Sequence, residues 1–324
     1  MKQAREDLKG DHPGLPSISS TAGKTWRDDP GGRPAFVVDL LTTLQQEKFS
    51  PGGWWHFLQR AWERSCQTAN THPSLKRSWL HITLCIALLT GTVVLTNFFM
   101  EGPEKTLRLL PVLLFCVTWQ QTDLFWHLDL NRQTQTGKLL PKVGLANGFT
   151  WLRGLGASYL LGRLLGGVST PTPLALLVFL GGIVTDILDG QVARYTQTQS
   201  KLGQIGDGEA DFCLYLAIAI ILIQNGVLPL WLGLIMLLRF CIPLVAALLS
   251  YFLFAHPVRF GSTQWGKLAG LAQCLYFLVL LAPPQLSPFT ESVKLPLLMA
   301  TLILLVMAPL AQIVGNIRTS FRPD

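Results

Sequence analysis

Charge is what this chain has least of. Only 14% of its 324 residues are Asp, Glu, Lys or Arg, against about 25% in an ordinary soluble domain. Hydrophobic residues make up 49%, and the mean hydropathy is +0.38. That balance argues against a soluble globular domain and for a membrane protein. Cysteine is also too scattered to organise anything. Cys66, Cys85, Cys116, Cys213, Cys241 and Cys274 form no CxxC pair and no zinc-like spacing, and five of them fall in or beside apolar runs. They read as small membrane-buried side chains, which argues against a disulfide framework. The N-terminal MKQAREDLKG lacks an apolar stretch, so no cleaved leader is expected.

The charge that is present has a net excess of +7. In a membrane protein such an excess belongs to loops retained on the inner side, so no nucleic-acid partner is expected. Residues 1–33 are polar and rich in Gly, Pro, Ser and Asp, and predict no fixed structure. A short helix is expected over 34–47. Over 53–68, Trp54, Phe57, Leu58, Ala61 and Trp62 fall on one helical stripe, with Arg60, Glu63 and Arg64 off it. This pattern fits an amphipathic helix lying in the membrane interface, or one packed on the protein's own inner face.

Eight apolar segments follow, near 79–100, 107–126, 150–167, 173–193, 208–225, 229–253, 265–283 and 294–315. Each approaches the ~20 residues that span a bilayer. The third is the least apolar, with several glycines and Arg163. With the N-terminus inside, the inner loops and the C-terminus carry Arg132, Lys138, Lys142, Arg194, Lys201, Arg259, Arg318 and Arg322. The outer loops carry only Lys105, Arg108 and Lys294. The bias supports an even number of spans with both termini in the cytoplasm. The expectation is an all-α, polytopic membrane protein of about eight transmembrane helices. It divides into a cytoplasmic segment (1–75), two additional helices (76–130), a six-helix core (140–315) and a tail (316–324).

The strongest local signal is DILDGQVARYTQTQSKLGQIGDGEAD, residues 186–211. Asp186 and Asp189 sit about 60° apart on one helix face, and Asp207 and Asp211 about 40° apart on the next. The loop 195–206 is short enough to bring the two faces together. An aspartate at a span centre costs about 3 kcal/mol, and four would repel one another, so something positive must offset them. Carboxylate oxygens suit Mg²⁺ or Mn²⁺ and argue against zinc. Gly190 and Ala193 leave room beside the helix, and Arg194 offers a forked donor for phosphate. The bland alternative is a set of interfacial acids paired with Arg194, Lys201 and Arg153.

These residues match D-x2-D-G-x2-A-R-x8-G-x3-D-x3-D at every fixed position: Asp186, Asp189, Gly190, Ala193, Arg194, Gly203, Asp207 and Asp211. The segment resembles the signature of the CDP-alcohol phosphatidyltransferase family. Upstream, Asn147, Thr150 and Arg153 resemble the family's N-x2-T-x2-R. Downstream, Gly266, Lys267 and Gln273, in GKLAGLAQ with five residues between Lys267 and Gln273, resemble a G-K-x5-Q pattern of the glycerol-phosphate branch. That branch usually has Lys-Thr where this chain has Ala269 and Gly270.

The resemblance implies transfer of a substituted phosphoryl group from a CDP-linked donor to a hydroxyl, with release of CMP. It implies Asp186, Asp189 and Asp207 as ligands of Mg²⁺ or Mn²⁺, with Asp211 sharing a second metal and acting as general base. Gly190, Ala193 and Gly203 would admit the nucleotide, Arg194 would contact its phosphates, and Thr150 would line the same pocket. The donor is CDP-diacylglycerol or a CDP-alcohol, the acceptor a small alcohol, and the setting membrane lipid; a homodimer is compatible with the resemblance. Arg239 falls mid-way along the sixth span, where a charge has a function by default. With His256, Arg259 and Lys267 it could bind a phosphorylated acceptor.

Three other readings compete. One is a diacylglycerol-like lipid acceptor with a soluble CDP-alcohol donor. The others are a transporter and a non-catalytic scaffold. The acidic segment occurs once, against the internal repeat of a transporter, and a scaffold has no need of four acids. Asp123, His127 and Asp129 read as interfacial, and Gly162–Gly166 as a helix-packing or pocket-side pair.

Overall fold

The computed structural model describes residues 44, 46–254 and 264–320. Nine long helices account for most of them: α1 (Pro51–Thr71), α2 (Pro73–Glu101), α3 (Pro103–Trp126), α4 (Leu145–Leu165), α5 (Thr172–Tyr195), α6 (Lys201–Gln224), α7 (Leu230–Phe254), α8 (Gln264–Leu281) and α9 (Ser287–Ser320). Among the described residues there are no named strands, only isolated bridges. The protein is an all-α polytopic membrane protein. Helices α2 to α9 coincide with the eight expected spans, and α4 to α9 form the six-helix core. The short helix expected over 34–47 falls largely outside the described residues.

Local chemistry sets the breaks. Proline occupies the first turn of α1, α2, α3 and α5, where its missing N–H is not needed. A single residue, Gly102, separates α2 from α3 at φ 91°, a conformation glycine reaches without strain. Ser50 and Ser200 cap α1 and α6, their Oγ atoms accepting from Gly53 N–H at 3.0 Å and Gly203 N–H at 3.1 Å.

Four stretches combine length with apolar composition sufficient to cross a membrane: Pro73–Glu101, Thr172–Tyr195, Gln264–Leu281 and Pro284–Ala311. The stretch Leu230–Cys241 of α7 is apolar as well. Helices α3 and α4 turn several of their polar groups inward. Gln120 Nε2 of α3 donates to Ser158 Oγ and Gly154 O of α4 at 2.8 and 2.9 Å. Arg163 of α4 is buried and paired with Glu101 of α2, Nη2 to Oε2 at 3.1 Å, and also meets Asn97 and Tyr159. Apolar side chains face the other way: Leu84, Leu88, Phe99, Met100, Phe115 and Trp119 are all exposed, as expected of a surface bathed in lipid.

Two packed regions lie inside. One joins α4 to α9 through Phe179, Tyr215 and Phe277, whose rings are 5.6–6.0 Å apart. The other joins α2, α3 and α4 through Leu75, Leu109, Leu113, Trp151 and Leu155. A Cβ on Gly162 or Gly166 would lie 3.1 or 2.6 Å from backbone oxygens of Leu109 and Arg108. The Gly162–Gly166 pair is therefore a helix-packing device, letting α4 approach α3 backbone to backbone.

Helix α1 covers the segment 53–68, and its buried residues are Gly53, Ser65, Thr68 and Ala69 rather than the aromatic stripe. Its C-terminal half is fixed to the protein by Ser65 to Trp126 O, by Arg64 against Asp129 and by Trp62 against Phe125. Its N-terminal half leaves Trp54, Trp55 and Leu58 exposed. Asp129, expected at the interface, is instead buried, meeting Thr68, Arg64 and Arg132.

Candidate active site

Asp186 and Asp189 stand on the last turns of α5, and Asp207 and Asp211 on the first turns of α6. The intervening 196–200 segment is braced by the loop after α3: Thr134 N–H donates to Gln199 O at 3.0 Å and Lys201 N–H to Arg132 O at 3.2 Å. The four carboxylates converge, and the guanidinium of Arg153 from α4 lies at their centre. Arg153 Nη1 donates to Asp186 Oδ1 at 2.8 Å and to Asp211 Oδ1, and Nη2 donates to Asp189 Oδ2. Asp207 Oδ1 lies 3.7 Å from Nη2. Thr150 Oγ1 faces Asp207 Oδ1 at 2.7 Å, with Asp189 Oδ2 at 3.2 Å. Arg153 is 1% exposed, whereas Asp186 is 56% and Asp207 43% exposed. The cluster is thus sealed from below by the arginine and open on the side of the acids.

Of the three bases weighed as partners for these acids, the structure uses Arg153 on all four. Among the described residues, no group of three or more His, Cys, Asp or Glu side chains is disposed to hold a metal ion. The position the carboxylates share is taken by the guanidinium. The donor set nonetheless fits a hard divalent cation. It is all carboxylate oxygen, and one guanidinium offsets only one of four negative charges.

Two cavities flank the cluster. One, of about 240 Å³, is lined by Asn147, Thr150, Asp189, Gly190, Ala193, Arg194, Gly203 and Asp207. Every residue expected to admit the nucleotide is here. Arg194 lies along Gly190, where a Cβ would sit 3.3 Å from its Nη1. Gly203 has a further reason to lack a side chain, since a Cβ there would lie 2.8 Å from Asn147 Oδ1. The other cavity, of about 430 Å³, is lined by Asp186, Asp211, Tyr215, Arg239, Lys267 and Gly270 among others. So Asp207 and Asp211, one turn apart on α6, face different chambers. Arg239 and Lys267 line the same cavity as Asp211; His256 and Arg259 lie outside the described residues.

A third and larger crevice, about 610 Å³, runs between α2, α4 and α5 from Glu101 and Pro171 to Arg153 and Thr185. Its walls are mostly apolar, including Val93, Met100, Leu152, Leu155, Leu174 and Val178. Sequence reasoning named neither this crevice nor the central position of Arg153. The signal for Arg153 was its place after Asn147 and Thr150 at intervals of three, which puts all three on one face of α4.

The sequence profile of the CDP-alcohol phosphatidyltransferase family matches residues 143–311, just over half of the 324-residue chain. The matched span holds the whole acidic cluster and helices α4 to α8, with most of α9. No curated protein and no solved structure matches the chain.

Proposed function

The chain belongs to the CDP-alcohol phosphatidyltransferase family, and on that premise we propose that it transfers a phosphatidyl group from CDP-diacylglycerol to a small phosphorylated alcohol. One observation carries this reading: the acidic cluster separates a chamber lined by Arg194 from a chamber lined by Arg239 and Lys267. A donor diphosphate and an anionic acceptor then approach the same carboxylates from opposite sides.

In the smaller chamber Arg194 binds the donor's phosphates. The close-packed backbone at Gly190, Ala193 and Gly203 admits the cytidine, and Thr150 and Asn147 close the wall. The apolar crevice ending at Arg153 suits the chains of the lipid-linked donor. In the larger chamber Arg239 and Lys267 hold the acceptor with its hydroxyl toward Asp211. Asp211 takes the hydroxyl proton as general base. The acceptor oxygen forms a bond to the phosphorus that carries the lipid; the bond from that phosphorus to the CMP oxygen breaks, and CMP leaves. Asp186, Asp189, Asp207 and Asp211 would hold Mg²⁺ or Mn²⁺, which supplies neutralisation of the diphosphate and the departing CMP. The cluster faces the cytoplasm in this reading.

The test is CMP release by purified protein given CDP-diacylglycerol and a panel of alcohols, phosphorylated and neutral. Release with a phosphorylated acceptor, lost in excess EDTA and restored by Mg²⁺ or Mn²⁺, is the expected result. Release only with a soluble CDP-alcohol and diacylglycerol would reverse the donor and acceptor assignments. Full activity in EDTA would remove the metal from the reading.

A further inference from the structure

Gly270 lies against the guanidinium of Arg239. A Cβ added to Gly270 would lie 2.6 Å from Arg239 Nη1 and 3.6 Å from its Cζ. Nothing in the backbone asks for glycine there. Gly270 sits inside α8 (Gln264–Leu281), where alanine is the better helix former. Its neighbour Ala269 is fully buried in the core, while Gly270 lines the cavity shared by Asp211 and Arg239.

Arg239 is held on its other sides by aromatic rings. Its Cζ lies 4.4 Å from the Phe240 ring centroid and 5.3 Å from that of Tyr215, within cation–π range. Among the described residues it forms no ion pair, unlike Arg153 and Arg163, which sit on carboxylates. A guanidinium kept within a membrane span without a carboxylate partner is available to an anionic ligand. The room that lets it enter the cavity is the room a side chain at position 270 would fill.

We propose that Gly270 determines acceptor choice by leaving space for the Arg239 guanidinium beside Asp211, selecting an acceptor with an anionic group such as a phosphorylated polyol. The proposal rests on the reading that Arg239 meets the acceptor. Gly270 is then a positioning residue acting through Arg239. The clash it avoids is with the tip of a flexible side chain, so a small residue at 270 moves the arginine and leaves the helix in place.

The experiment compares wild type, Gly270→Ala, Arg239→Ala and the double variant in CMP release. CDP-diacylglycerol serves as donor and glycerol 3-phosphate or inositol 1-phosphate as acceptor. Arg239→Ala raises the acceptor KM roughly 30-fold, the effect of losing one charge-assisted contact. Gly270→Ala raises it roughly tenfold, with donor KM and kcat changed by less than about twofold. In the Arg239→Ala background Gly270→Ala adds nothing. Gly270→Ser, which carries the same Cβ, repeats the single-variant effect. If Arg239→Ala is effective while Gly270→Ala is silent, or if the two effects multiply, Gly270 does not act through Arg239 and the proposal is overturned. A loss of thermal stability or of donor affinity in Gly270→Ala makes it a packing residue and overturns the proposal equally. If Arg239→Ala itself leaves the acceptor KM unchanged, the acceptor reading fails first.

Discussion

A guanidinium as enclosed as that of Arg153 persists in a protein only where acceptors surround it, and removing one side of such a cluster leaves uncompensated charge. Here the larger charge belongs to the carboxylates. Arg153→Met is therefore expected to destabilise the metal-free protein by about 3 kcal/mol, read as a lower unfolding temperature in detergent with EDTA. Millimolar Mg²⁺ or Mn²⁺ should return most of that loss if the carboxylates accept the cation. A variant as stable as wild type under chelation would mean that Arg153 does not hold the cluster. Asp211 faces the chamber of Arg239 and not that of Arg194. Asp211→Asn should therefore abolish turnover yet leave CDP-donor binding measurable by thermal shift, and wild-type kcat would rule it out as base. The four acids were legible because helical spacing alone puts each pair on one face. The role of Arg153 was less so. Its pairing depends on how close α4 comes to α5 and α6, which a linear pattern does not encode, and the sequence offered Arg194 and Lys201 as equal partners.

Helix α4 shows how an element with an unpromising composition becomes a central one. Its glycines and two arginines weaken it as an isolated span, and it does not reach the apolar standard met by α2, α5 or α8. In the bundle those same residues are its contacts. Gly162 and Gly166 meet the backbone of α3, Arg153 meets the acids of α5 and α6, and Arg163 meets Glu101 of α2. Sequence periodicity gave the existence and order of α4 but not its partners, because polar residues in a span look costly until the neighbouring helix supplies the other half. The Arg163–Glu101 pair ties an additional helix to the core. Glu101→Gln should leave the buried Arg163 without its counter-charge and lower stability by about 3 kcal/mol, as measured by unfolding in detergent. Because Glu101 and Asn97 also border the apolar crevice, loosening of α2 should raise the KM for a long-chain donor more than for a short-chain one. A stable variant with unchanged chain-length dependence would show that α2 docks independently of this pair.

At the scale of the whole molecule, the two loops assigned to one side by charge do meet. Gln133 bridges Ser200, and Gln133 Nε2 donates to Gln197 O at 3.0 Å. This contact requires α3 to end and α6 to begin on the same face of the membrane, the face on which the acidic cluster opens. Across the bundle, the α2–α3 turn at Gly102 carries Glu101, Glu104 and Lys105 close together, and its basic residues are outnumbered by those of the Arg132–Lys142 loop. That difference in basic residues is what the proposed cytoplasmic placement of the loop side rests on. In a cysteine-free background, needed because Cys85 is exposed and unpaired, single cysteines at Thr136 and Thr198 should react with a membrane-impermeant thiol reagent only after the inner face is opened. Cysteines at Glu104 and Gln285 should react in intact cells. The loop contact adds a constraint that charge counting alone lacks: Thr136 and Thr198 must change sides together. Labelling of both from outside would invert the topology and turn the proposed nucleotide chamber away from the cytoplasm. Labelling of one but not the other would break the contact between the loops and, with it, the bracing that brings α5 and α6 to a common acidic site.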